Sequence, residues 1–101
     1  MKRFVYRVLD LEEWLSFKKK KVFYGNDFDQ TSGFIHLSQK DQLSRTIDIY
    51  FKKKKIVILK IRTKNLKQKL LWETSRAGEK FPHLYDKLTL ESVVKADYPN
   101  V

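Results

Sequence analysis

The chain has 101 residues and no cysteine, which excludes disulfide staples, thiol nucleophiles and cysteine-based zinc sites. With 42% hydrophobic residues, including seven Phe, five Tyr and two Trp, it can build one core, and a single domain over residues 1–101 is expected. A formal charge of +10 raises the prospect of a polyanionic partner, while the longest apolar run, Ile56 to Leu59, is far short of the ~20 residues that cross a bilayer, so no membrane partner is expected.

Phe4 to Leu9 alternates in a strand pattern. Asp10 and Glu13 have the spacing of a capping box, and Leu11, Trp14 and Leu15 are expected on one face of the helix that follows. Lys18 to Lys21 suits the negative end of that helix. Val22 to Ser32 reads as a loop around Gly25-Asn26-Asp27. Gly33 to Leu37 is a short strand. Ser38 is expected to cap a second helix, with Leu43, Ile47, Tyr50 and Phe51 towards the core and Lys52 to Lys55 at its end. Ile56 to Ile61 reads as a central strand buried on both faces. Asn65 to Lys69 is a polar connector, Leu70 to Glu73 a strand, and Thr74 to Lys80 a loop. Phe81 to Tyr85 is a stiff aromatic loop, and Leu88 to Tyr98 holds one or two final strands. The order predicts an α+β fold with small mixed or antiparallel sheets and two main helices.

Three segments carry polar residues suited to chemistry. In Gly33 to Leu37 a strand puts Phe34, His36 and Ser38 on one face, opposite Ile35 and Leu37. His36 can shuttle a proton near neutral pH, or it can be a packed histidine satisfied by its neighbours. Ser38 reads as a cap that doubles as a ligand contact. Trp72 and Glu73 fall on opposite faces of their strand. Glu73 can hold a ribose hydroxyl or stabilise developing positive charge, or it can be a surface ion pair with Arg76. Arg76 beside Gly78 suits a phosphate. In the third segment, Phe81 and Leu84 read as structural, and His83 and Tyr85 as ligand-facing. No metal site is assigned, because His36, His83 and Glu73 lack the tight spacing of ligand motifs.

The blocks Glu13-Trp14, Gly33-Phe34-Ile35-His36-Leu37-Ser38, Gln42, Trp72-Glu73, Ser75-Arg76-x-Gly78 and Phe81-Pro82-His83-Leu84-Tyr85 resemble the uncharacterised bacterial domain-of-unknown-function family 952, from about Phe4 to Tyr98. The chain departs from that pattern at Ser32, where the family carries an acid, and at Asp86-Lys87-Leu88, where it carries a proline. The resemblance implies an ADP-ribosyltransferase-like fold, in which NAD lies in a cleft between small sheets. It also implies similarity to a segment of NAD-using RNA 2′-phosphotransferases, with His36 and Ser38 lining the cleft. On this reading the chain binds NAD, ADP-ribose or a related nucleotide. His36 and Glu73 are the catalytic candidates, and Phe34, Ser38, Trp72, Arg76, His83 and Tyr85 contact the ligand. The alternative is a basic binding module without chemistry, holding RNA through Lys18–Lys21 and Lys52–Lys55; those runs also read as solvated faces. The absence of cysteine in so small a domain points to a reducing cytoplasm.

Overall fold

The computed structural model describes residues 2–66 and 69–99. β1 (Phe4–Asp10) leads directly into α1 (Leu11–Lys20), and β2 (Val22–Phe23) into α2 (Asp27–Ser32). β3 (Ile35–His36), a 3-10 turn and α3 (Leu43–Tyr50) follow, then β4 (Ile56–Arg62). The chain closes with β5 (Leu70–Thr74), β6 (Lys80–Leu84), β7 (Leu88–Thr89) and β8 (Val93–Asp97). Three sheets form, in the orders β1-β4-β8, β3-β6-β5 and β2-β7, and every strand pair is antiparallel. The α+β expectation therefore holds, with three α-helices rather than two among the described residues.

The core sits under one face of the first sheet. Alternation along β1 and β4 sends Val5, Leu9, Val57, Leu59 and Ile61 into it, where Trp14, Phe17, Ile35, Leu37, Leu84 and Leu88 join them. Asp10 caps α1 as expected: its carboxylate accepts from Glu13 N at 2.8 Å, and Glu13 accepts from Asp10 N at 3.0 Å. The buried stripe of α1, however, runs through Trp14 and Phe17, and Leu15 is 52% exposed.

Four further expectations are corrected. Val22 to Ser32 contains β2 and α2 rather than only loop. Six residues are too few to show helical periodicity, and the signal lay instead in the Asn26 cap and its reciprocal bond with Asp29. Ser38 does not cap α3. Its N–H and C=O exchange 2.8 Å hydrogen bonds with Tyr6, which ties the second sheet to the edge of the first, and Gln39 N donates to Gln42 at the following turn. No residue of α3 is fully buried, and Tyr50, expected in the core, is exposed. Phe81 to Leu84 lies within β6, the central strand of its sheet. Proline argues against a central strand because it cannot donate to the ladder, yet Pro82 sits where β3 has already ended and needs only to accept from Leu37 N.

β4 is central as expected, but Ile58 and Lys60 on its second face are only half-buried. A three-stranded antiparallel sheet covers one face with core and leaves the other partly to solvent. The Asn65 to Lys69 connector begins as a 3-10 turn over Thr63–Leu66, and positions 67 and 68 lie outside the described residues.

Two apolar residues of α1, Phe17 and Leu15, separate the observed stripe from the expected one. Phe17→Ala is expected to cost about 3–5 kcal/mol, and Leu15→Ala no more than about 0.5 kcal/mol, in urea unfolding at constant m-value.

Candidate functional site

The second sheet sets two histidines side by side. In the β3–β6 ladder His36 is paired with His83 and Ile35 with Leu84. Strand alternation sends Ile35 and Leu84 into the core and leaves Phe34, His36 and His83 on the opposite face. The two imidazole centroids lie 6.0 Å apart, edge to face.

Each histidine holds a carboxylate through Nδ1. His36 Nδ1 lies 2.7 Å from Asp29 Oδ1. Asp29, on α2, is buried, and Arg7 binds both its oxygens in a 2.9 Å fork. Arg7, on β1, is itself buried and also donates to the His36 carbonyl at 2.9 Å. The backbone N–H groups of Asn26 and His36 complete the coordination of Asp29 at 2.8 and 2.9 Å. Burial alone would raise the Asp29 carboxyl. The hydrogen bonds from His36 and Arg7, with the Arg7 charge, outweigh that and hold it well below the usual carboxylate range. Gly25 makes room for this arrangement: a Cβ there would stand 2.6 Å from that of Asp29.

His83 Nδ1 lies 2.8 Å from Glu73 Oε1, and the Tyr85 hydroxyl donates to the same oxygen at 2.7 Å. The Tyr85 hydrogen bond, seconded by that from His83, lowers the Glu73 carboxyl; the same bond raises the Tyr85 phenol. A carboxylate that only accepts places the proton on each Nδ1, so in the neutral imidazole Nε2 carries the lone pair. Neither Nε2 has a hydrogen-bond partner among the described residues.

Both rings line one cleft of about 500 Å³, together with Ser38 and Thr46. Its aromatic wall comes from α2 and α3. Phe28 stacks on His36 at 4.3 Å, and Tyr50 stands 6.0 Å from Phe28. Phe34 stacks on His83 at 3.9 Å and touches Tyr85, backing the second dyad.

This architecture has recognised relatives. The family model described as "Protein of unknown function (DUF952)" matches residues 8–96. The chain belongs to that family. It is similar to protein CC0527 from Caulobacter crescentus. The crystal structure of CC0527 is 34% identical, covers 94% of this chain and 84% of its own, and superposes with a TM-score of 0.89. The solution structure of CC0527, also 34% identical, covers 94% and 83% with a TM-score of 0.83. No curated protein matches the chain.

The candidate residues named from the sequence fall into three groups. His36, Ser38 and His83 line the cleft. Phe34 and Glu73 reach it only through the imidazoles that they touch, and Tyr85 only through Glu73 and Phe34. Trp72 is packed against the core on the other face of β5, and the side chain of Arg76 lies outside the described residues. Among the described residues no group of three or more His, Asp or Glu side chains is placed to hold a metal ion.

Arg7, Asp29 and Phe28 escaped the sequence reading. Arg7 had a signal: a charge within the apolar alternation of β1 must find a buried partner. Asp29 and Phe28 sat in a segment read as loop. The two lysine runs are also separated. Leu11 N donates to Lys55 O, so Lys52–Lys55 lies at the start of α1 while Lys18–Lys20 forms its last turn, about 15 Å away.

Asp29→Asn leaves the Arg7 charge buried without its counter-ion and is expected to destabilise the fold by about 3–5 kcal/mol in chemical denaturation. Because the folded-state carboxyl is depressed, the wild type has this contribution in full above about pH 4 and loses it as the pH falls towards 2. The acid limb of its stability profile is therefore steeper than that of Asp29→Asn.

Proposed function

We propose that the cleft binds a ribose-bearing nucleotide of the NAD or ADP-ribose class, and that His36 and His83 act on it as a general acid–base pair. One observation carries the reading: two histidines, each oriented through Nδ1 by a carboxylate, present unpartnered Nε2 atoms to one cleft. In such pairs one neutral Nε2 accepts a proton from an attacking hydroxyl or water, and the other, when protonated at Nε2, donates one to a leaving oxygen; nicotinamide leaves NAD as a neutral ring and calls only on the base. A volume of about 500 Å³ is in the range of small-molecule sites. The ligand class rests on the resemblance to NAD-binding clefts carried by the Gly33–Ser38 block.

In this reading Glu73 acts through His83. Its carboxylate fixes the imidazole and its proton rather than meeting the ligand, and Tyr85 steadies Glu73 in turn. Asp29 and Arg7 do the same for His36. Phe28 and Tyr50 offer faces on which a base can stack.

The test is ligand binding followed by turnover. At a hundredfold excess over Kd, NAD or ADP-ribose is expected to stabilise the domain by about 2.7 kcal/mol in thermal melts. His36→Gln is expected to remove most of that stabilisation. If nicotinamide is released from NAD, His83→Gln is expected to slow the release by about 10²–10⁴-fold. Unchanged melting at millimolar NAD and ADP-ribose would overturn the reading.

A further inference from the structure

A basic surface also forms away from the lysine runs that dominate the sequence. Antiparallel pairing of β1 with β4 sets Phe4 opposite Arg62 and Tyr6 opposite Lys60, and β8 sets Lys95 opposite Lys60. Thr63 N donates to Arg3 O at 2.9 Å, and its hydroxyl donates to Lys2 O at 2.9 Å. This draws the start of the chain alongside the end of β4. Lys60, Arg62 and Lys95 therefore share the outer sheet face, with Lys2, Arg3 and Lys64 in the segments at its end. They come from segments up to 93 residues apart, between Lys2 and Lys95.

This face has two features that a merely solvated surface does not need. Lys60 and Lys95 are direct cross-strand partners, and like charges so placed are destabilising. Among the described residues the one ion pair on this face is Lys95 with Asp97 at 3.6 Å, which is solvent-exposed and weak. Second, the cations surround an aromatic. Lys60 Nζ stands 4.3 Å from the Phe4 ring centre and Arg62 5.9 Å, with half-buried Tyr6 two residues further along the strand. Aromatics on a sheet, rimmed by Lys and Arg, are the means by which proteins hold single-stranded nucleic acid: bases stack on the rings and the cations follow the phosphates.

We infer that the Phe4, Tyr6, Lys60, Arg62 and Lys95 face of the β1-β4-β8 sheet binds single-stranded RNA. Phosphates relieve the repulsion between Lys60 and Lys95, and a base displaces the cations from the Phe4 ring to stack there. None of these five residues lines the cleft, and the test does not depend on nucleotide binding there.

The experiment is fluorescence anisotropy of the full chain with a labelled oligo-uridine 20-mer, titrated at several salt concentrations from 50 to 200 mM. Wild-type affinity is expected to fall steeply across that range. In Arg62→Gln/Lys95→Gln, two exposed positions, the slope of log K against log salt is expected to be shallower by about 0.7 for each phosphate contact removed. Phe4→Ala is expected to weaken binding about tenfold with the salt slope retained, which a purely electrostatic surface would not do. Circular dichroism melts confirm that each variant is folded; Lys95→Gln alone serves if the double variant is not. Three results would overturn the inference: no binding at 50 mM salt, an equal loss when Lys18–Lys20 are changed to Gln, or tighter binding to phosphatidylserine vesicles than to the RNA.

Discussion

A guanidinium and a carboxylate taken out of water each cost several kcal/mol, and the cost is recovered only when the geometry is close and the remaining polar atoms are bonded. Asp29 meets that condition through a two-pronged ion pair and backbone donors from Asn26 and His36; Arg7 meets it through its two terminal nitrogens, while its buried Nε has no hydrogen-bond partner among the described residues. The pair links three elements: the edge strand of the first sheet, the short helix α2 and the first strand of the second sheet. Its placement turns α2 towards β3 and brings Phe28 over His36. The cleft, its aromatic wall and the orientation of one histidine all follow from that single buried contact.

The second histidine is held by a different kind of partner. Asp29 is sealed by protein donors, whereas Glu73 is partly solvent-exposed and shares one oxygen between His83 and Tyr85. Two imidazoles in one sheet, paired across one ladder, thus stand in unlike electrostatic surroundings. Such unlike environments are what an acid–base pair requires, since one member must give a proton while the other takes one. The arrangement also explains why Glu73 and Tyr85 matter to the cleft without lining it.

The elements that departed from expectation are those that build the site. α3 carries apolar residues at helical spacing but lays them along the cleft and the flank of β1, so Tyr50 becomes a wall rather than a core residue. Pro82 suggested a loop, yet β6 tolerates it because the neighbouring strand ends there. Ser38 looked like a cap, but its backbone serves as the bridge between two sheets. In each case a local propensity was overruled by a partner distant in the chain.

The sequence by itself determined the α+β class, the capped first helix, the central apolar strand and the face shared by Phe34, His36 and Ser38. These depend on spacing within a few residues, where period two and capping geometry act directly. Only the tertiary structure decided that Glu73 meets His83, that Trp72 turns to the core, and that Arg7 and Asp29 meet across 22 positions. It likewise decided that Lys60 and Lys95, 35 positions apart, stand side by side on one sheet face. Pairing between distant strands sets these neighbours, and register is a property of two segments together, which neither segment carries alone.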